Sequence, residues 1–198
     1  HRGGDGNRVA LIHNDIIENF HGLKKQLLAE GVEFLSETDT EVAAKLVGRE
    51  YDRLGDLTEA MRAVVSRLEG AFTLLAVHAD SPGVVVGARR NSPLVVGLGD
   101  GANFLGSDVA AFIGYTRHAL ELGQDQIVTI TPDGYEVIGF DGTPADGKAY
   151  EVTWDASAAE KGGYNTFMEK EIAEQPHAVG DTLLGRTDDE GRLVLDEV

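Results

Sequence analysis

The chain has 198 residues, 42% of them hydrophobic and 26% charged, and 34 Asp+Glu against 17 Lys+Arg leave a formal net charge of −17. That balance excludes nucleic acid and anionic membrane as partners, because no stretch gathers enough Lys and Arg to offset it. The chain contains no cysteine, which excludes disulfides, thiolate metal sites and a cysteine nucleophile from these residues, and no apolar run approaches the roughly 20 residues of a membrane span.

The first residues, His1-Arg2-Gly3-Gly4-Asp5-Gly6, include no starting Met and no apolar core behind them, so they are no signal peptide, and the chain reads as processed or truncated. Residues 8–13 are β-branched and apolar and predict a short buried strand. Asn14 and Asp15 are cap-type residues, and Ile16, Ile17, Phe20, Leu23, Leu27 and Leu28 then recur at helical spacing up to Gly31. Thr38-Asp39-Thr40-Glu41 is a capping box that opens a helix with Val42, Leu46, Val47 and Tyr51 on one face. A third helix is expected over 57–68, stopped by Gly70. Short apolar runs at 71–78, 83–89, 93–98 and 103–106, separated by turn residues, predict consecutive strands. A short helix from Asp108, a hairpin over 126–131 and 135–140, and a last strand at 150–154 follow. Residues 158–175 are helical in pattern, interrupted by Gly162-Gly163 and closed by Pro176; a short helix over 178–184 and a possible strand at 192–195 complete the chain. Helices first and antiparallel strands after argue an α+β fold rather than βαβ winding.

Several patterns invite chemistry. Gly97-Leu98-Gly99-Asp100-Gly101-Ala102 matches a dinucleotide-binding fingerprint, but residues 103–106 read as another strand and not as a helix, so the glycines are expected to make a hairpin turn. The six histidines (His1, His13, His21, His78, His118 and His177) lack zinc-ligand spacing, and no nucleophile elbow, Walker A or EF-hand spacing is present. His13-Asn14-Asp15, at an expected strand-to-helix turn, can aim a side-chain amide and backbone N–H groups at one anion, and Asp39 at the mouth of a helix can bind an ammonium group. On spacing alone, simple helix capping is the better explanation of both places.

Val9-Ala10-Leu11-Ile12-His13-Asn14-Asp15-Ile16-Ile17-Glu18-Asn19 resembles the V-V-H-N-G-I-I-E-N stretch of the glutamine–fructose-6-phosphate aminotransferases, also called glucosamine-6-phosphate synthases. Ser36-Glu37-Thr38-Asp39-Thr40-Glu41-Val42 is similar to that family's S-E-T-D-T-E-V. Residues 70–72, 88–95 and 104–108 fit its later strands, and residues 160–176 (Glu160-Lys161-Gly162-Gly163-Tyr164-Asn165-Thr166-Phe167-Met168 onward to Pro176) resemble the segment joining its glutaminase and sugar-isomerase domains.

The resemblance implies an N-terminal-nucleophile αββα sandwich of glutamine amidotransferase type 2, incomplete at its N-terminus, with residues 1–155 the latter part of the glutaminase domain and 156–198 the linker and start of the isomerase region. It implies glutamine and fructose 6-phosphate as substrates of a cytoplasmic enzyme that is a homodimer at full length and uses no metal or organic cofactor. The nucleophile in the family is an N-terminal Cys, missing here together with the early R-W-A-T-H-G loop, so this chain is expected to be inactive alone and to leave apolar sheet surface exposed. Asn14 matches the oxyanion-hole side chain, and Asp39 the carboxylate that holds the α-ammonium of glutamine. Asp15 falls where the family has the Gly whose backbone N–H completes the hole, which is expected to weaken glutamine hydrolysis. Other readings are a phosphoribosyl-pyrophosphate-type amidotransferase, which does not account for residues 161–176, and a non-catalytic glutamine-binding relative.

Overall fold

The computed structural model describes residues 1–153 and 162–183. The chain divides into two compact units, His1–Thr153 and Trp154–Val198. In the first, ten strands follow one another as β1 (Arg2–Gly3), β2 (Val9–Ile17), β3 (Gly70–His78), β4 (Val85–Arg90), β5 (Val95–Leu98), β6 (Asn103–Gly106), β7 (His118–Glu121), β8 (Gln126–Thr131), β9 (Gly134–Gly139) and β10 (Lys148–Glu151). Between β2 and β3 lie three helices, α1 (Phe20–Ala29), α2 (Asp39–Leu54) and α3 (Leu57–Val65). The strands form a six-stranded sheet, β1-β2-β3-β4-β8-β9, and a four-stranded sheet, β10-β7-β5-β6. Every strand pair is antiparallel.

Alternation along the strands sorts the residues into two cores. From β2 and β3, Val9, Leu11, Phe72, Leu74 and Ala76 face the helices and pack with Val42 and Leu46 of α2 and Met61, Val64 and Val65 of α3. Leu57, Ala60, Met61 and Val64 of α3 recur every three or four residues, the stripe an amphipathic helix needs to cover a sheet. On the opposite face, Leu75 and Val85 meet a second core of Leu94, Val96, Leu120, Leu122, Val128 and Ile130. The described residues of this unit therefore build three layers, helices on sheet on sheet. Gly97-Leu98-Gly99-Asp100-Gly101-Ala102 closes the β5–β6 hairpin, with Gly101 at φ 70°, and the Phe112 ring packs against Gly97, 2.5 Å from where a Cβ would stand.

Four strands cannot cover six. β6 is an edge of its sheet, and beside it a cleft of about 700 Å³ is lined by Ala10, Ile12, Leu75, Val77, Phe104 and Leu105 among others. Ile12 and Val77 are 64% and 41% exposed there, as expected from the sequence for the uncovered part of the sandwich. On the helix side the contact is the reverse of loose: β1 lies so close to α2 that a Cβ on Gly3 would stand 1.8 Å from the Ala44 carbonyl oxygen, and one on Gly48 1.9 Å from the Gly4 nitrogen. Only glycine permits that backbone-on-backbone approach.

Four expectations are corrected. Asn14 and Asp15 do not cap a helix. β2 continues through them, because Asn14 through Ile17 pair in register with Thr73 through Gly70 and Ile17 is fully buried. The following helix starts only at Phe20, after Asn19, whose side chain is engaged elsewhere, donating to the Arg67 carbonyl at 2.8 Å and accepting from the Glu69 N–H at 3.2 Å. α3 ends at Val65, three residues before the expected Leu68, since Leu68 already lies in the turn into β3. The strand expected at 150–154 is Lys148–Glu151. Finally, in the second unit α4 (Phe167–Leu183) runs through Pro176, where a break into two helices was expected; proline removes one intrahelical hydrogen bond and bends a helix without having to end it. Gly162 and Gly163 precede α4 with φ 57° and 91°, and Thr166 caps it, accepting from the Glu169 N–H at 3.1 Å. The possible strand at 192–195 lies outside the described residues. Among the described residues no helix is long and apolar enough to cross a membrane.

Candidate functional site

The site is assembled where β2 passes the N-terminus of α2. The helix starts there because Thr38 has extended backbone angles and its hydroxyl accepts from the Glu41 N–H at 3.3 Å, satisfying one of the free donors of the first turn. The reciprocal half of a capping box does not form. Glu41, only 2% exposed, turns instead to the preceding loop and accepts from the Leu35 N–H at 2.9 Å, the Ser36 N–H at 2.7 Å and the Ser36 hydroxyl at 2.6 Å. Burial pushes the Glu41 carboxyl up, but these donors and the charge of Lys45 outweigh it and hold the carboxyl below its ordinary range. The Thr38 N–H is taken by the Ser36 hydroxyl at 3.3 Å. Ser36, Thr38 and Glu41 thus lock the chain as it enters α2.

The carboxylate of Asp39, the first residue of that helix, is 18% exposed and bridges two elements. One oxygen, Oδ2, accepts from the backbone N–H of Ile17 on β2 at 3.0 Å; the other, Oδ1, accepts from the Thr40 N–H at 2.8 Å. His13 approaches from the same strand. Its Nδ1 is 3.2 Å from the Thr40 hydroxyl and 3.6 Å from Asp39 Oδ1, and its ring is 2% exposed. Burial lowers its pKa, and the charges of Asp39 and Asp15 only partly oppose that, so the ring is neutral at pH 7.

Asn14 and Asp15 lie on β2 between two residues, His13 and Ile17, that both reach Asp39 or its neighbour. Both are exposed, and the Asn14 amide has no hydrogen-bond partner among the described residues. Asp15 has φ 74°, the left-handed conformation that glycine adopts freely and Asp tolerates better than most residues. Opposite, Gly70 at φ 106° admits the end of β2 so closely that a Cβ would stand 2.5 Å from the Ile16 carbonyl oxygen. The structure therefore brings the three residues singled out from sequence to one strand–helix corner. It presents an unengaged amide and a carboxylate with lone pairs to spare, groups able to donate to an oxyanion and to pair with an ammonium.

Two contributors had no role of their own in the sequence reading, the His13 ring and the Ile17 N–H. The odd-numbered alternation of Val9, Leu11, His13 and Ile17 carries the signal, because it turns His13 toward the helix layer if the strand is extended past residue 13. Among the described residues no group of three or more His, Asp or Glu side chains is placed to hold a metal ion.

The chain is 66% identical over 191 residues to glutamine–fructose-6-phosphate aminotransferase [isomerizing] of Streptomyces coelicolor, 96% of this chain but 31% of that protein. It is 60% identical over 195 residues to the enzyme of that name from Corynebacterium efficiens, 98% and 31%, and 65% identical over 186 residues to that of Leifsonia xyli, 94% and 30%. The chain thus spans under a third of the length of these relatives. Among solved structures, glutamine phosphoribosylpyrophosphate amidotransferase from B. subtilis is similar, with a TM-score of 0.57 and 28% identity over 67% of this chain and 29% of that one. The fold is accordingly that of the N-terminal-nucleophile amidotransferases. The model of the glutamine amidotransferase domain matches residues 3–114, more than half of the chain and the stretch holding Asn14, Asp15 and Asp39, and on that match the chain belongs to the glutamine amidotransferase domain family.

Proposed function

We propose that this chain is the glutamine-binding portion of the ammonia-supplying domain of a glutamine–fructose-6-phosphate aminotransferase. The observation that carries the reading is the strand–helix corner, where Asp39 at the head of α2 is bound to the strand that displays Asn14 and Asp15. In this reading Asp39 pairs with the α-ammonium of glutamine. The Asn14 amide and the Asp15 backbone N–H face the carbonyl oxygen of the side-chain amide, where negative charge develops when a nucleophile adds. Loss of one such donor typically lowers the rate about 100–1,000-fold. The family's nucleophile is a cysteine and this chain has none, so by itself the chain binds glutamine without hydrolysing it. Residues 1–155 belong to the glutaminase domain and 156–198 to the linker toward a sugar-isomerase region. At full length the enzyme is a cytoplasmic homodimer that delivers the ammonia to fructose 6-phosphate. Identity of 60–66% to the isomerizing aminotransferases, against 28% to the phosphoribosyl type, favours the former.

The test is an amide chemical-shift titration of the chain. L-Glutamine shifts Ile17 and Thr40, whereas 4-carbamoylbutanoate, which lacks the amino group, and the Asp39→Asn variant give no such response. Equal responses to the two ligands, or an unchanged response in a folded Asp39→Asn variant, would overturn the assignment.

A further inference from the structure

We propose that His13 is a positioning residue for this site, its Nδ1–H donating to the Thr40 hydroxyl and the Asp39 carboxylate so that the ammonium-binding group is fixed relative to the strand carrying Asn14. The inference rests on Asp39 as the ammonium-binding group and adds a residue to that site.

Three observations carry it. The ring is buried, at 2% exposure, yet it lies in the polar corner and not in either apolar core. Its Nδ1 is within 3.2 Å of the Thr40 hydroxyl and 3.6 Å of Asp39 Oδ1. Its Nε2 is buried with no hydrogen-bond partner. A neutral imidazole has one donor and one acceptor. If Nδ1 accepted from Thr40, the proton would sit on Nε2 as a buried N–H without an acceptor, the rarer and costlier orphan. With the proton on Nδ1, the bond runs toward the negative corner and only a lone pair is left unmet. Thr40 then accepts from His13 and turns its own hydrogen toward Asp39 Oδ1, 3.5 Å away.

The consequence is geometric. Residues 13 and 17 of β2 are both tied to the start of α2, one through the ring and one through its backbone N–H. Asn14, Asp15 and Ile16, with the left-handed Asp15, are held between two fixed points. Asp15 and Asp39 are the charged groups whose fields reach the ring. Both favour a proton on it, but a charged ring would need an acceptor at Nε2 that the buried pocket does not supply.

Nitrogen-15 chemical shifts of the imidazole rings in the unmodified chain test the tautomer directly: His13 shows a protonated Nδ1 and an unprotonated Nε2 at pH 7. The reverse tautomer, or a doubly protonated ring, overturns the proposal. Hydrogen exchange of the Ile17 amide tests the coupling without any ligand. His13→Ala speeds its exchange at least tenfold, and His13→Asn, which keeps a donor near the Nδ1 position, restores most of the protection. Equal protection in all three overturns the proposal, and should His13→Ala not fold, the tautomer measurement still decides. In the glutamine titration, His13→Ala weakens binding about tenfold and His13→Asn recovers it. If the unmodified chain ignores glutamine while tautomer and exchange behave as stated, the functional reading of Asp39 fails and the positioning role of His13 stands.

Discussion

Glu41→Ala is the perturbation whose cost the structure defines best. The substitution deletes a 2%-exposed carboxylate that accepts from the Leu35 and Ser36 N–H groups and the Ser36 hydroxyl. A hydrogen bond to a charged group contributes roughly 1.5–3 kcal/mol, so three would suggest 4.5–9 kcal/mol. That sum is too large, because Leu35 is 93% exposed and its loop can turn the freed N–H groups to water. Counting one bond at full value and the other two at roughly half gives about 3–6 kcal/mol, a decrease in melting temperature of roughly 6–24 °C at 2–4 °C per kcal/mol for a chain of this size. Glu41→Gln keeps one acceptor oxygen and sets an amide N–H against a backbone donor, for about 2 kcal/mol. Urea unfolding followed by far-UV circular dichroism measures both. A Glu41→Ala loss below about 1 kcal/mol with an unchanged denaturant slope refutes the view that this carboxylate secures the entry to α2.

Acid stability follows from groups held below their ordinary values. Burial lowers the pKa of His13, and burial together with the charge of Arg8 lowers that of His78. The unfolded chain therefore takes up protons first as pH falls through about 6.5, and stability declines there. It declines again at lower pH, as Glu41 protonates. Urea melts at several pH values show the first decline flattened in a His13→Asn/His78→Phe variant; an unaltered profile contradicts the assignment. Asp15→Gly relieves a left-handed residue and stabilises the chain by roughly 0.5–1 kcal/mol. In a longer enzyme that includes the cysteine it also raises glutamine turnover, by removing a carboxylate beside the developing oxyanion. Unchanged turnover would sink that second claim. Ile12→Thr with Val77→Thr lowers binding of an apolar fluorescent dye to the uncovered cleft beside β6 while shifting unfolding free energy by about 1 kcal/mol or less. Dye binding unaffected by the pair would place the exposed apolar surface elsewhere.

Where local chemistry and tertiary contacts agree, the sequence reads correctly. β6 and β8 fall on the expected residues, because the short apolar run of the one, the alternation of the other and their flanking turn residues serve the same end as their pairing. The glycine-rich stretch at 97–102 is a hairpin because a strand comes after it. The start of α2 is legible in Thr38 and Asp39, but the destination of Glu41 is not: a capping box predicts a contact three residues back, and a loop with three free donors lies closer. Asn14 and Asp15 mislead for a related reason. Their side chains suit a helix start, and nothing local announces that residues 70–73 will pair with them or that Asp39 will take the Ile17 N–H. Type and spacing thus drew attention to Asn14, Asp15 and Asp39, and only the resemblance gave them roles, whereas the strand geometry that displays them depends on contacts with α2 and β3.

The glycine pair at the β1–α2 contact bears on how the site can move. Gly3 and Gly48 bring helix and strand backbones together with no side chain between them to act as a bearing, and Asp39 fastens the end of the same helix to β2. A rod held at its tip and again nine residues along can neither slide nor swivel on the sheet. Any adjustment to an arriving ligand must then come from exposed side chains such as Asn14 or from rigid displacement of helix and sheet as one piece.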